Sequence, residues 1–458
     1  VSAETTEPID TTDEVDAWAI RRRVADLSWP ALVEMMLVSF VGVADMIMVG
    51  RLGPAAIAAV GLSNQPMFFI LAVFQALNVG TTALVARFIG AQERGEANRV
   101  AEQSFFVTLL IGILLSVGSY AATPWIIGAM GAEPDAKPLG IDYLQIVSLG
   151  IVFTAVSMCL ASSLRGAGNT KTPMKVNIMT NLVNCAGNYV LIYGKLGLPA
   201  FGVAGAAMAT TLSRIVACIA FLFVMQSRDS LIRLGSVRSF RVRLDLLRRM
   251  LQIGFPSAIE QFILRGGQLT YVRIVAGLGT VVLASHQIGM NILSLSFMPG
   301  MAFSIAATTL VGQELGAGRA SAAEKSAAET RRMGMLVSGA MAVVLFFGGA
   351  RIASLYTSDP VVIQQAAMVL RVIGLVQPAQ STQFILAGGL RGAGDTKWPL
   401  YSTFIGVWGV RVVMGYIFVT FFHLGLLGAW LGMALDQLIR SFVIYTRFRK
   451  GDWKAVTV

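Results

Sequence analysis

The chain has 458 residues, of which 55% are hydrophobic and only 13% charged, and its net charge of +11 comes from 36 Lys and Arg against 25 Asp and Glu. Soluble domains carry about 25% charged residues, and so little charge could not cover the surface of a soluble chain, which excludes a soluble enzyme and a disordered protein. Three cysteines and 47 glycines also exclude a disulfide scaffold and a collagen-like chain, leaving a protein dissolved mostly in lipid.

Residues 1–23 form an acidic leading tail, expected in the cytoplasm. Glu4, Glu7, Asp10, Asp13, Glu14 and Asp16 leave no room there for the apolar core of a signal peptide. Arg21, Arg22 and Arg23 stand immediately before the first apolar run, and a positive cluster in that place holds the amino end in the cytoplasm. A bilayer crossing takes about 20 mostly apolar residues. Twelve such runs follow, over 24–50, 55–87, 100–122, 140–163, 173–194, 202–226, 250–275, 280–311, 330–350, 362–388, 399–421 and 425–447. They predict an all-α polytopic membrane protein. Its parts are a first lobe of six helices over 24–226, a basic cytoplasmic connection over 227–249, a second lobe of six over 250–447 and a cytoplasmic tail over 448–458.

An even number of crossings puts both ends on one side. Of the 36 Lys and Arg, 26 then fall on cytoplasmic ends and loops, Arg165 and Arg391 among them, and four (Arg51, Lys137, Lys195, Arg351) on outer loops. Basic residues concentrate on the cytoplasmic side of membrane proteins, so the split supports this orientation. The positive charge is thereby assigned to loops and not to nucleic acid as a partner. Cys159, Cys185 and Cys218 all fall in apolar stretches, and His286 and His423 stand alone, so neither a metal nor a cofactor is expected.

The most informative feature is a self-match at an offset of 226 residues. Leu-Arg-Gly-Ala-Gly at 164–168 recurs at 390–394, and Asn169-Thr170-Lys171 is matched by Asp395-Thr396-Lys397. Pro30 matches Pro256, Glu34 matches Glu260, Leu52-Gly53 match Leu278-Gly279, and Gly90-Ala91 match Gly316-Ala317. Six crossings per copy mean that both copies enter the membrane in the same direction, as parallel repeats related by an axis along the membrane normal. Two such lobes enclose a central cleft that rocking opens to each side in turn, the organisation of a secondary transporter. No GxxxxGK[ST] pattern is present, so ATP is not the expected energy source.

Ionisable groups inside crossings are costly and point to function. Asp45 lies fifteen residues after Pro30, about 22 Å along the first helix. It reads as a carboxylate that exchanges a proton or a cation; the alternative is an acid bonded to loop amides. Glu34 lies eleven residues earlier on the same face, and its duplication as Glu260 favours a structural role shared by both. Asn177, Asn181, Asn184 and Asn188 form a stripe along the fifth crossing that cannot face lipid. It either lines an aqueous cleft, the reading we favour, or bonds a neighbouring helix. Gln75, Asn78 and Thr82 form a similar face on the second crossing, and Gln377, Gln380 and Gln383 mark the tenth. Asp436 and Arg440, four residues apart, are expected to neutralise each other, and Arg265 to neutralise Glu260 or Glu34. The substrate-cleft candidates are therefore Glu34, Gln75, Asn78, Asn181, Glu260, Gln380 and Gln383.

The segment Val43–Gly53, the duplicated Leu-Arg-Gly-Ala-Gly-(Asn/Asp)-Thr-Lys, Ala284-Ser285-His286-Gln287 and Asn188-Tyr189 with Tyr193-Gly194-Lys195 together resemble the multidrug and toxic compound extrusion (MATE) family, in its bacterial NorM/DinF form. The resemblance covers about residues 24–447. It implies export of cationic amphipathic compounds driven by inward H⁺ or Na⁺. It also implies that Asp45, Asn184, Asn188 and Thr210 form the cation-coupling site, with Na⁺ near Asp45 as the alternative to a proton. NorM-like members carry acids on helices seven and ten of the second lobe, where this sequence has Leu264 and Gln380. That difference moves the expected coupling to Asp45 and toward protons. The expectation is a monomeric antiporter binding small cationic or amphipathic drugs within the lipid bilayer. A lipid-precursor flippase of the same superfamily would have more crossings and a strongly cationic cavity. A polytopic membrane enzyme would need convergent catalytic groups, and the sequence holds no HExxH.

Overall fold

The computed structural model describes residues 17–227, 230–235 and 242–456. The leading tail to residue 16 and part of the basic connection lie outside the described residues. The described chain is built on twelve long helices. The first lobe comprises α1 (Ala17–Gly50), α2 (Pro54–Gly90), α3 (Arg94–Ala129), α4 (Ala136–Gly166), α5 (Lys171–Tyr193) and α6 (Gly202–Gln226). The second comprises α7 (Leu244–Ala276), α8 (Thr280–Gly316), α9 (Ala320–Ala353), α10 (Pro360–Gly392), α11 (Lys397–Thr420) and α12 (Gly425–Lys450). Among the described residues, ten of these are long and apolar enough to cross a membrane. The other two are α5, which carries the asparagine stripe, and α7, which carries Glu260, Arg265 and Arg273.

Helices begin several residues before the expected crossings. α1 starts at Ala17 and α7 at Leu244, because the polar first turns of a membrane helix continue into water. Two helices depart from regularity, both in the second lobe. α8 breaks at Phe297, next to Met298-Pro299, where the proline has no N–H to continue the ladder. α11 widens into a π-helical stretch over Ile405–Val412. There Gly406 meets α12 so closely that a Cβ would lie 2.2 Å from Asp436 Oδ1. Pro299 is a visible signal for the first; nothing in the apolar run over 399–421 signals the second.

The duplicated Leu-Arg-Gly-Ala-Gly closes a helix in each lobe. Gly168 and Gly394 take φ of +90° and +88°. Each turn is sealed by a bond across six residues, Asn169 N–H to Leu164 C=O at 2.9 Å and Asp395 N–H to Leu390 C=O at 2.8 Å. A left-handed residue is needed there, so glycine is placed in both copies.

Each lobe has its own apolar core. Leu84, Val100, Leu160 and Phe221 anchor the first, while Tyr271, Ile292, Leu370 and Trp430 anchor the second. The lobes exchange their leading helices at the end that carries the chain tails. Ile20, Val24 and Leu27 of α1 pack into Phe303, Ala306 and Leu310 of the second lobe. Leu246, Met250 and Ile253 of α7 pack in turn against the first lobe. The two arrangements are equivalent under the repeat: Met250 against Gly80 corresponds to Val24 against Ala306.

This end is closed. Arg23 donates to Glu314 at 2.7 Å, Thr309 to the carbonyl of Arg165 at 2.9 Å and Gln313 to the carbonyl of Gly166 at 3.1 Å. The carboxyl tail adds a strap. Trp453 is fully buried and stacks on Phe448 at 4.7 Å, and the carbonyl of Val456 accepts from Arg87 of the first lobe at 3.2 Å.

Candidate substrate cleft and coupling site

α1 and α5 run parallel, so residues spaced eleven apart on one meet residues spaced eleven apart on the other. This fixes two contacts on one seam. Near the far end, Asn188 Nδ2 donates to Asp45 Oδ1 at 2.6 Å. Near the tail end, Asn177 Nδ2 donates to Glu34 Oε1 at 2.7 Å. The asparagine stripe thus bonds its neighbouring helix at both positions.

Around Asp45 the expected coupling residues converge. Asn188 also reaches Asn184 Oδ1 at 3.4 Å, and Asn184 Nδ2 donates to Thr210 Oγ1 at 3.4 Å. With its amide turned over, Asn184 instead offers its nitrogen to the two carboxylate oxygens of Asp45, 3.0 and 3.2 Å away. Asn184 and Asn188 are buried and Asp45 is half-buried. Arg214 of α6 and Tyr143 of α4 stand within electrostatic reach of the carboxylate. The sequence reading did not single out Arg214. The repeat could have found it, because Arg214 and Arg440 are separated by the same 226 residues.

At the lower contact the lobes are alike. Glu34 pairs with Arg165, and Glu260 pairs with Arg391, whose Nη2 lies 2.8 Å from both carboxylate oxygens. Asn177 bonds Glu34, and Thr403 bonds Glu260 at 3.0 Å. All three members of one set map onto the other at an offset of 226. Arg165 and Arg391 are therefore not free loop charges; each reaches inward to neutralise a buried acid. Arg265, expected to do this, instead lies over the Phe68 ring at 4.9 Å. Losing one member of such a pair strands a buried charge. Arg391→Met is expected to cost about 3 kcal/mol and to lower the melting temperature in detergent. Adding Glu260→Gln should recover most of that loss.

At the upper contact the lobes differ. Tyr271 stands where the repeat places Asp45, and its hydroxyl donates to the carbonyl of Ala429. The acid of the second lobe is Asp436, at the position of Thr210. It pairs with Arg411, whose Nε lies 2.9 Å from Oδ2. The expected Asp436–Arg440 pair is thus replaced. Arg440 turns to Thr403 instead, with Nη2 2.9 Å from the hydroxyl oxygen. The π-helical turn of α11 brings Arg411 within reach, which spacing along α12 cannot reveal.

Between the lobes lies a cavity of about 230 Å³. Gln75, Asn78, Glu260 and Gln383 line it, as do Arg165, Arg391 and Arg440. Leu264 also lines it. Glu34 reaches this wall through Arg165. Asn181 and Gln380 are not among the lining residues; Gln380 is buried within α10, with neither amide atom bonded. Asp45, Asn184, Asn188 and Thr210 lie apart from this cavity, inside the first lobe.

Known proteins share this architecture. The MatE family pattern matches residues 30–190 and again 256–417, once per lobe. The chain is 33% identical over 436 residues to the probable multidrug resistance protein NorM of Thermotoga maritima, covering 95% of this chain and 93% of that one. It is 26% identical to the multidrug resistance protein MdtK of Yersinia pestis, over 93% and 95% of the two chains. A solved outward-facing multidrug resistance MATE transporter of the MOP superfamily superposes with a TM-score of 0.89 at 25% identity, covering 96% of this chain and 97% of that one.

Proposed function

This chain belongs to the MatE family, and from that premise we propose that it is a multidrug efflux antiporter of the bacterial inner membrane, exporting amphipathic drug-like compounds in exchange for protons. It is a multi-pass membrane protein and not an enzyme. The observation that carries the proposal is a half-buried acid, Asp45, bonded by Asn188 inside one lobe and apart from the cavity between lobes. A cation exchanged at Asp45 therefore acts on the substrate through α1 and not by touching it. On this reading, loss of charge at Asp45 weakens the Asn188 bond. α1 then shifts against α5, and the movement reaches Glu34 and Arg165 at the cavity wall.

We take the end with the chain tails as cytoplasmic, because the basic residues concentrate there. The inner gate is then shut, by the contacts of Arg23, Thr309 and Gln313. One chain encloses its own cavity, which supports reading the monomer as the working unit. The proton is preferred because the second lobe has Leu264 and Gln380 where NorM-like members carry acids. Asn184 Oδ1 and Thr210 Oγ1 are the oxygens sodium would use. Drug uptake into everted vesicles decides between the ions: a pH gradient, acid inside, should drive it, and a sodium gradient alone should not. Uptake driven only by sodium would overturn the proton.

A further inference from the structure

We propose that the cavity between the lobes receives the anionic head of an amphipathic substrate, a carboxylate or sulfonate, at Arg440. The inference deepens the efflux reading above, resting on it only in taking this cavity as the substrate's place.

It follows from the charges around the wall. Glu34 is neutralised by Arg165, Glu260 by Arg391 and Asp436 by Arg411. Three acids thus engage three guanidiniums, and a fourth, Arg440, remains. Arg440 is only 4% exposed and lines the cavity. Its side chain bonds the neutral hydroxyl of Thr403, and its Nε has no partner. Asp436, one turn earlier on α12, gives Oδ2 to Arg411 and makes no hydrogen bond to Arg440. A buried guanidinium with no carboxylate hydrogen-bonded to it is costly, and a bidentate anion is the group that fits its planar fork.

The rest of the wall agrees. Glu260 is the one carboxylate among the lining residues, and both of its oxygens already accept from Arg391. A cationic head, expected from the family resemblance, would find no free acid there. Asn78 and Ser257 supply buried polar atoms without partners, suited to neutral hydrogen bonds around the head. The volume of about 230 Å³ holds a head group and part of a ring system.

Fluorescein and rhodamine 123 share one xanthene frame and differ in the sign of their charge. Their equilibrium binding to the purified full chain in phosphatidylcholine nanodiscs, read by anisotropy, tests the proposal with no ion gradient. A failure here is therefore distinct from a failure of proton coupling. Fluorescein should bind more tightly than rhodamine 123. Arg440→Gln should weaken fluorescein about tenfold and leave rhodamine 123 unchanged or tighter. Arg440→Lys, which keeps the charge, should keep the preference for fluorescein and serves where the glutamine variant does not fold. Tighter binding of rhodamine 123 to the wild type, or unchanged fluorescein binding in a folded Arg440→Gln variant, would overturn it.

Discussion

Everted vesicles carrying Asp45→Asn are expected to show no drug uptake above empty vesicles under a pH gradient, with the protein present at its normal level. The asparagine keeps the size of the side chain, and its amide oxygen can still accept the Asn188 N–H that the carboxylate accepts at 2.6 Å. The seam between α1 and α5 is also held at Glu34–Asn177, and at Tyr193, whose hydroxyl donates to the carbonyl of Met48 at 2.9 Å. Folding therefore survives, while the carboxylate proposed to carry the exchanged proton is gone. Loss of drug resistance in a pump-deleted strain should accompany the loss of uptake. Full resistance in the variant would remove Asp45 from the mechanism.

Valine at Gly90 or Gly316 is expected to abolish export as well, by a different route. The two glycines are equivalent under the repeat and meet the opposite lobe reciprocally. A Cβ on Gly90 would lie 1.9 Å from the carbonyl oxygen of Gln313, and one on Gly316 would lie 1.9 Å from that of Arg87. No side chain fits at that distance against backbone, so the lobes must part at the tail end. The variant should then be held with this gate open. A single cysteine at Thr309, in a chain lacking Cys159, Cys185 and Cys218, should react faster with a polar maleimide added from the cytoplasmic side. Gly95→Ala is the control, because a Cβ there meets open space. Wild-type export by Gly316→Val, or unaltered labelling, would show that this closure is not part of the cycle.

The two tests probe separate steps. In the proposed cycle Asp45 sets whether an ion gradient is felt, and the glycine contacts set whether one gate can shut. The Glu34 and Glu260 sets lie between them, beside the cavity, and their duplication fits a frame common to both lobes. What differs between lobes is the upper contact: Asp45 with Asn188 in the first, Tyr271 and the Asp436–Arg411 pair in the second. The chain thus keeps one symmetric layer of ion pairs and one asymmetric layer.

Apolar runs and a repeat of constant offset were sufficient to give twelve helices in two parallel lobes, because every crossing must satisfy its own backbone in lipid and so announces itself locally. The same offset brought Glu34 and Glu260 forward as equivalents, and helical spacing put Asp45 and Glu34 on one face with the asparagine stripe drawn out along α5. Partner choice was decided only in three dimensions. Arg165 and Arg391 look like loop charges in the linear chain, yet each is 131 residues from the acid it neutralises. Asp436 passes over Arg440, four residues away, for Arg411 across a π-helical turn. Periodicity is a property of one helix, whereas a guanidinium on a long side chain chooses among all the helices packed around it. For the same reason the excess positive charge beside the cavity became visible only once every pair had been assigned.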